Sequence, residues 1–473
     1  MAENNRPMTS AEYMDNATMN KSHYKFIFLL AFGYTFEQID VFNFSFAAPA
    51  LTQYWGVSME WVGLVNSCAF IGMLLGCWLG GWAADRFGRK TTFLASILMF
   101  SICSLVNGWA PNPDIFLAAR TLTGVGMMGM VVVAMVYIAE LLPAAVRGRW
   151  QAIALATGLL SIPLLGQFAS WIVPRDPEGW RYVMYIGGFG FVILAFSRHW
   201  LKESPRWLIS KGRYKEAEEV IQYFRPDVKV DLSAEARGEV KVHKEKEVTN
   251  TLEVLKFIFS KEYRKKTLVL INLVVWNTVG YFMFFAWMPT LLNEYGFSLE
   301  DALWMVALVS FGSPIGNYIA AYFTDKGGRK IPIVVYAAVI GVLTVLFGTL
   351  KLPMLIVIIG FVIRILMDGI FVLMWSYLAE AYPTEFRSSG TGLIFSTGRI
   401  LNVGAMAMVP VIYQQFGYAV LFGIIGAMYV AIAVVTGFWG ERTAGRSLEA
   451  IAEGDEDQPE TAVATELAGA KAK

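Results

Sequence analysis
The chain has 473 residues, of which 56% are hydrophobic and only 16% charged, and its formal net charge is +1. A soluble protein of this length would need far more polar surface, so the composition points to a polytopic helical membrane protein. A net charge near zero selects no class of partner, and no nucleic-acid role is expected.

The N-terminal segment 1–24 is polar and lacks a short apolar core followed by a cleavage site, so it is expected to be retained as a cytoplasmic segment. Apolar blocks follow, each about long enough to cross ~30 Å of hydrocarbon as a helix. Their approximate cores are 26–51, 61–83, 91–110, 115–140, 151–173 and 182–201, then 267–292, 302–324, 331–350, 354–379, 389–413 and 417–439. The expected fold is therefore an all-α membrane protein with twelve transmembrane helices. A six-helix half (25–202) precedes a polar loop (203–266), then a second six-helix half (267–440) and a cytoplasmic tail (441–473). The loop contains "RYKEAEEVIQYF" and "KVHKEKE", whose apolar spacing predicts short amphipathic helices on the membrane surface. The end of the tail, from Glu453, is disordered in composition.

Basic clusters follow the even-numbered blocks: "DRFGRK" (85–90), "RGR" (147–149), the central loop, "DKGGRK" (325–330) and Arg387. The opposite loops hold few, which places both termini in the cytoplasm, in a plasma or bacterial inner membrane. An internal repeat is visible. "DRFGRK" recurs as "DKGGRK" at an offset of 240, and "YIAELLPAAVRG" (137) recurs as "YLAEAYPTEFRS" (377) at the same offset. Two pseudo-symmetric halves in parallel repeat, with a site between them near the midplane, suit an alternating-access transporter.

At these residues the sequence resembles the major facilitator superfamily. "GGWAADRFGRK" (80–90) is similar to its loop signature between helices two and three, and "RTLTGVGMMG" (120–129) to its helix-four signature. "KESPRWL" (202–208) and "ERTAGRSLEAI" (441–451) resemble the ends of the two halves in sugar porters and organic-ion transporters. In helix one, Glu37 and Asp40 stand three apart ahead of "PAL" (49–51), as two acids do in aromatic-acid/proton symporters. Trp375 and Glu380 are similar to helix ten of sugar porters, whereas "NLVVWNTVGYFMFF" (272–285) lacks their amide-rich helix-seven motif.

Ionisable residues at membrane depth are costly and mark function by default. A helix rise of ~1.5 Å per residue puts Asp40, Arg364, Asp368 and Arg399, with Glu37 beside them, in one slab about 18–24 Å from the cytoplasmic end. A carboxylate there is caught between burial, which disfavours its charge, and a neighbouring arginine, which favours it, so it can exchange a proton between conformations. Asp40 is the first choice of proton carrier and Glu37 the second. The resemblance to proton-coupled sugar porters implies an acid in helix one facing Arg120; the alternative is that Arg120 snorkels to the outer surface. Arginine suits an anion clamp. Arg364 and Asp368 share a helix face and either neutralise each other or serve the substrate. "STGRILNVG" (396–404) resembles helix eleven of the organic-anion branch of the organic-ion transporters, which makes Arg399 the leading residue for holding an anionic substrate. Trp276, Tyr281, Phe284, Phe285 and Trp375 offer stacking surfaces, and Asn277 and Gln167 polar contacts; packing is the competing role for each.

A second charged group reads as a cytoplasmic gate: Asp85, Arg86, Arg89, Glu140, Arg147, Arg149, Glu203 and Arg206 in the first half, and Asp325, Arg329, Glu380, Arg387, Glu441 and Arg442 in the second. Gly81 and Gly88 are expected to allow close backbone approach there. Cys68, Cys77 and Cys103 read as core thiols without disulfides, and His23, His199 and His243 lack metal-ligand spacing. No cofactor, metal or ATP site is encoded, and an enzyme is disfavoured. The leading reading is a monomeric, proton-coupled importer of a small organic anion, with membrane lipid as its surroundings. The alternatives are a sugar, polyol or organic-cation transporter, an antiporter or exporter ("GLLSIPLLGQ", 158–167), and a non-transporting receptor.

Overall fold
The structure, a computed structural model, describes residues 8–237 and 251–441. "KVHKEKE" with His243, and the tail beyond Glu441 with Arg442, lie outside the described residues. The described chain is all-α. Helix α1 (Ser10–Asp15) is started by a capping box between Thr9 and Glu12. It precedes α2 (Lys21–Trp55), α3 (Met59–Phe87), α4 (Arg89–Trp109), α5 (Pro113–Leu141) and α6 (Arg147–Ile172). Then come α7 (Gly179–Gly188), α8 (Val192–Trp200), α9 (Pro205–Ser210), α10 (Tyr214–Phe224) and α11 (Ser233–Ala236). The second half holds α12 (Thr251–Ile258), α13 (Arg264–Phe285), α14 (Met288–Glu294), α15 (Leu299–Ser310), α16 (Gly312–Gly327), α17 (Lys330–Phe347), α18 (Pro353–Ala379) and α19 (Thr384–Trp439).

Among the described residues, ten stretches are long and apolar enough to cross a membrane. The longest, Ser389–Trp439 in α19, is broken at Gly417, whose φ of 80° only glycine adopts without strain. Three blocks expected as single helices are divided. Pro289 cannot donate to the carbonyl of Phe285, where α13 ends, and Pro314 cannot donate to Ser310, where α15 ends. Gly187 and Gly188 precede a 3-10 turn, Phe189–Phe191, that separates α7 from α8.

The chain forms two compact units. The first comprises Met1–Lys244, Phe285–Phe311 and Val403–Val411, so α14, α15 and a short piece of α19 belong with helices α1 to α11. Gly166 of α6 lies against Ala307 of α15, and Gly63 of α3 against Met406 and Pro410. Its main seam runs between α3 and α5: a Cβ on Gly72 or Gly76 would lie 2.1 or 2.2 Å from the carbonyl oxygens of Thr121 and Val125. Such small-residue stripes let helix backbones touch where no hydrophobic force acts between helices. Gly80 continues the stripe, whereas Gly81 faces open space, so the expected close approach at Gly81 belongs to its neighbour.

The second unit comprises Glu245–Phe284, Gly312–Asn402 and Ile412–Lys473. It repeats that seam 240 residues on: a Cβ on Gly312 or Gly316 of α16 would meet the carbonyls of Phe361 and Ile365 of α18. The sequence repeat is thus also a repeat of the helix packing.

In the loop, α10 is amphipathic and buries Ala217, Val220, Ile221 and Phe224. It holds the N-terminal segment. Arg225 donates to the Tyr13 carbonyl at 2.9 Å, and Glu235 accepts from the Ser10 backbone at 2.7 Å.

Candidate functional site
The first unit has a buried charged centre. Asp40 on α2 is 0% exposed and Arg120 on α5 is 2% exposed. Their Oδ1 and Nη1 atoms lie 3.5 Å apart. The Asp40 Oδ1 also accepts from Asn43 at 2.6 Å and Ser104 at 2.7 Å. Arg120 donates through Nη2 to the backbone carbonyl of Asp40 at 2.6 Å, and its guanidinium lies over the Phe44 ring. Arg120 therefore turns inward rather than snorkelling. Space is tight: a Cβ on Gly187 of α7 would come within 2.5 Å of Asp40 Oδ1. The second oxygen, Oδ2, is buried and accepts no hydrogen bond among the described residues. Glu37, one turn earlier, is also buried.

The second unit has its own centre. Arg364 and Asp368, one turn apart on α18, form a buried ion pair of 2.7 Å. Tyr281 of α13 donates to Asp368 at 3.3 Å, and the Arg364 guanidinium lies 5.0 Å from the Tyr281 ring centroid. The buried Asn277 accepts from Tyr429 at 3.3 Å. Trp276 and Gln167 are half-buried, in the second and first unit respectively. Trp375 is 54% exposed and stacks on Phe395 with centroids 3.8 Å apart. Arg399 is half-buried on α19. Phe284 and Phe285 are buried, Phe284 among the rings of Phe347 and Phe422.

The charged rim is more regular. Arg89 at the start of α4 meets Glu140 through Nε at 3.1 Å and Nη2 at 3.2 Å, and Asp85 at 3.1 Å. The equivalent pair 240 residues on, Arg329 and Glu380, is 2.6 Å apart. Glu203 accepts from the backbone N–H groups of Arg89 at 2.8 Å and Lys90 at 3.1 Å, placing a carboxylate at the positive end of α4. Gly88, which precedes them, has φ 99°, and a Cβ there would sit 2.3 Å from the Glu203 carboxylate. Arg86 lies over the Trp82 and Phe87 rings, and Arg149 is exposed. Arg147 and Arg206 share Asp15 at 3.8 and 4.0 Å. Glu441 pairs with Lys266 at 2.7 Å. The side chains of Asp325 and Arg387 lie outside the described residues.

Sequence reasoning missed Asn43, Ser104, Tyr429 and Asp15. Asn43 was detectable, since it stands three residues from Asp40 on one helix face. Ser104, Tyr429 and Asp15 reach their partners across the fold and leave no local signal.

The model of the sugar (and other) transporter family matches residues 12–454. The metabolite transport protein YyaJ of Bacillus subtilis is 30% identical over 94% of this chain and 98% of its own length. The niacin transporter NiaP of Acinetobacter baylyi is 26% identical over 93% of this chain and 98% of its own. Among solved structures, the partially occluded inward-open xylose transporter XylE of E. coli superposes with a TM-score of 0.73 at 17% identity. That match covers 90% of this chain and all of the other, and it shows the fold.

Proposed function
From the premise that the chain belongs to the sugar (and other) transporter family, an integral multi-pass membrane transporter of the major facilitator superfamily rather than an enzyme, we propose that it imports a small organic anion together with protons. The observation that carries this reading is the buried Asp40–Arg120 pair. Asp40 takes up a proton and loses it again as its surroundings change. Arg120 keeps the backbone carbonyl of Asp40 as an acceptor in either state, so protonating the carboxyl does not strand the guanidinium. Glu37 supplies a second carboxyl one turn away. The substrate is an aromatic or other carboxylic acid. Niacin, which the relative NiaP carries by name, is a pyridine carboxylate and supports this class.

In this reading Arg399 and Arg364 grip the carboxylate, a task for which the planar guanidinium fork is suited. Asp368 is the internal anion that the substrate displaces from Arg364. Tyr281, Trp276 and Trp375 face the ring, and Asn277 and Gln167 orient polar substituents. The rim charges, Asp85, Arg86, Arg89, Glu140, Arg147, Glu203 and Arg206 with Asp325, Arg329, Glu380 and Arg387, open and close the inner gate. Twelve spans in two six-helix halves (25–202 and 267–440), with both termini in the cytoplasm of the inner membrane and a monomeric carrier, complete the proposal.

The test is uptake into proteoliposomes from a panel of labelled acids, sugars and amines, with and without an imposed pH gradient. Aromatic acids are expected to accumulate only with the gradient, and Asp40→Asn to abolish that accumulation. Accumulation of amines with rejection of acids overturns the anion assignment, and indifference to the gradient removes the role of Asp40.

A further inference from the structure
A cleft of about 420 Å³ opens in the first unit, lined by neither Asp40 nor Arg120. One wall is the α3–α4 junction, with Phe87, Lys90 and Thr91; the other is the start of the loop, with Lys202, Trp207 and the outer face of α10. Its lining carries three cations and three carboxylates, which are not paired one to one. Glu203 is spent on the backbone N–H groups at the start of α4 and on that of Ser204. Glu216 is held bidentately by Arg213 at 2.6 and 2.5 Å. That leaves the half-buried ammonium groups of Lys90 and Lys202 with the exposed carboxylate of Glu219 opposite them, while the charge of Glu203 also acts on Lys90. Among the described residues neither lysine has a carboxylate within ion-pair distance; Lys202 lies instead 5.0 Å from the Tyr223 ring centroid.

Two like charges held beside one open cleft favour an anion that bridges them. The position selects its source. Lys90 begins one membrane helix and Lys202 directly follows another, α8, so the cleft sits at the level where a bilayer presents its phosphates. At its edge the rings of Trp82 and Phe87 are 52% and 51% exposed, with the Arg86 guanidinium over them, an aromatic and cationic surface of the kind found at the headgroup level. We propose that this cleft binds the phosphodiester headgroup of an anionic phospholipid, with Lys90 and Lys202 on the phosphate and Glu219 accepting from a headgroup hydroxyl. Filling it would tie the loop helices α9 and α10 to the ends of the membrane helices beside the Glu203 contact.

The full-length protein, purified in detergent and titrated with dioleoylphosphatidylglycerol, tests this by native mass spectrometry. The wild type is expected to retain the lipid, and the double variant K90Q/K202Q to bind it about thirtyfold more weakly, while retention of dioleoylphosphatidylethanolamine is unchanged. The double variant K90R/K202R keeps the charge, controls for folding and is expected to retain the lipid. Equal affinity of the glutamine variant and the wild type overturns the proposal. So does displacement of the lipid by soluble glycerol 3-phosphate at equal concentration, which would make the cleft a site for free phosphate esters.

Discussion

The two units repeat one framework and differ in what it holds. Gly72 and Gly76 recur as Gly312 and Gly316, each against the equivalent carbonyl of a partner helix. The ion pair Arg89–Glu140 recurs as Arg329–Glu380, and the left-handed Gly88 as Gly328. The buried charges do not recur. The positions 240 residues beyond Asp40 and Arg120 are Gly280 and Gly360, and those 240 before Arg364 and Asp368 are Gly124 and Met128. In the first unit the acid is held across helices, by Arg120 and Ser104 as well as by Asn43 of its own helix. In the second unit the pair lies within one helix and is joined to a second by Tyr281. Helix packing and the rim are general demands of the fold and are kept in both halves. The interior charges are arranged differently in each half.

Substitutions can break that comparison, and the largest effect is expected at Arg120. Arg120→Met strands a fully buried carboxylate and should cost about 3–5 kcal/mol, read as a lowered melting temperature of the purified protein. Adding Asp40→Asn should recover much of that loss; if it does not, Arg120 acts by packing rather than by charge.

The repeated glycines give the next effect. Gly88→Ala should cost about 2–3 kcal/mol, because the residue has φ 99° and its Cβ would displace the Glu203 carboxylate. Gly328→Ala, at φ 77°, should cost about 1–2 kcal/mol for the backbone conformation. Equal melting temperatures would show that the Glu203 contact adds nothing to the first rim.

Arg364 separates a clamp from a self-neutralised pair. Arg364→Met should weaken binding of a transported acid about tenfold or more, measured by calorimetry on the purified carrier. An unchanged affinity would mean that Arg364 and Asp368 only satisfy each other.

The smallest effect concerns His23, which has no counterpart in the second unit. It lies in the first turn of α2, ahead of the apolar run, against Phe224. Burial, and then the charge of Arg225, push its pKa down to about 4 from 6.5. Because its folded-state value is lowered, the unfolded chain binds the proton first as pH falls. The stability contributed by the neutral imidazole is therefore complete above pH 6.5 and is lost as pH drops toward 4. A melting-temperature profile of His23→Gln should be flatter than that of the wild type between those values.

Much of this was legible in the chain. Apolar runs of bilayer length gave the helical class, because a backbone in hydrocarbon must satisfy its own hydrogen bonds. The offset of 240 gave the repeat, and charges inside apolar runs marked Asp40, Arg364 and Asp368 as functional candidates, because such charges are too costly to keep without use. The sequence also placed Arg364 and Asp368 on one face, where a single helix turn decides the pairing.

What the chain could not decide was every contact made across helices. Position alone left snorkelling open as the alternative for Arg120; the packing of α5 on α2 turned it inward to Asp40. Glu203 is 114 residues from Arg89, and only the return of the chain after α8 brings its carboxylate to the start of α4. Local composition determined which segments leave water, since transfer free energy depends on nearby side chains alone. Tertiary structure decided which buried charges have partners, since Coulomb attraction depends on distances that sequence separation does not set.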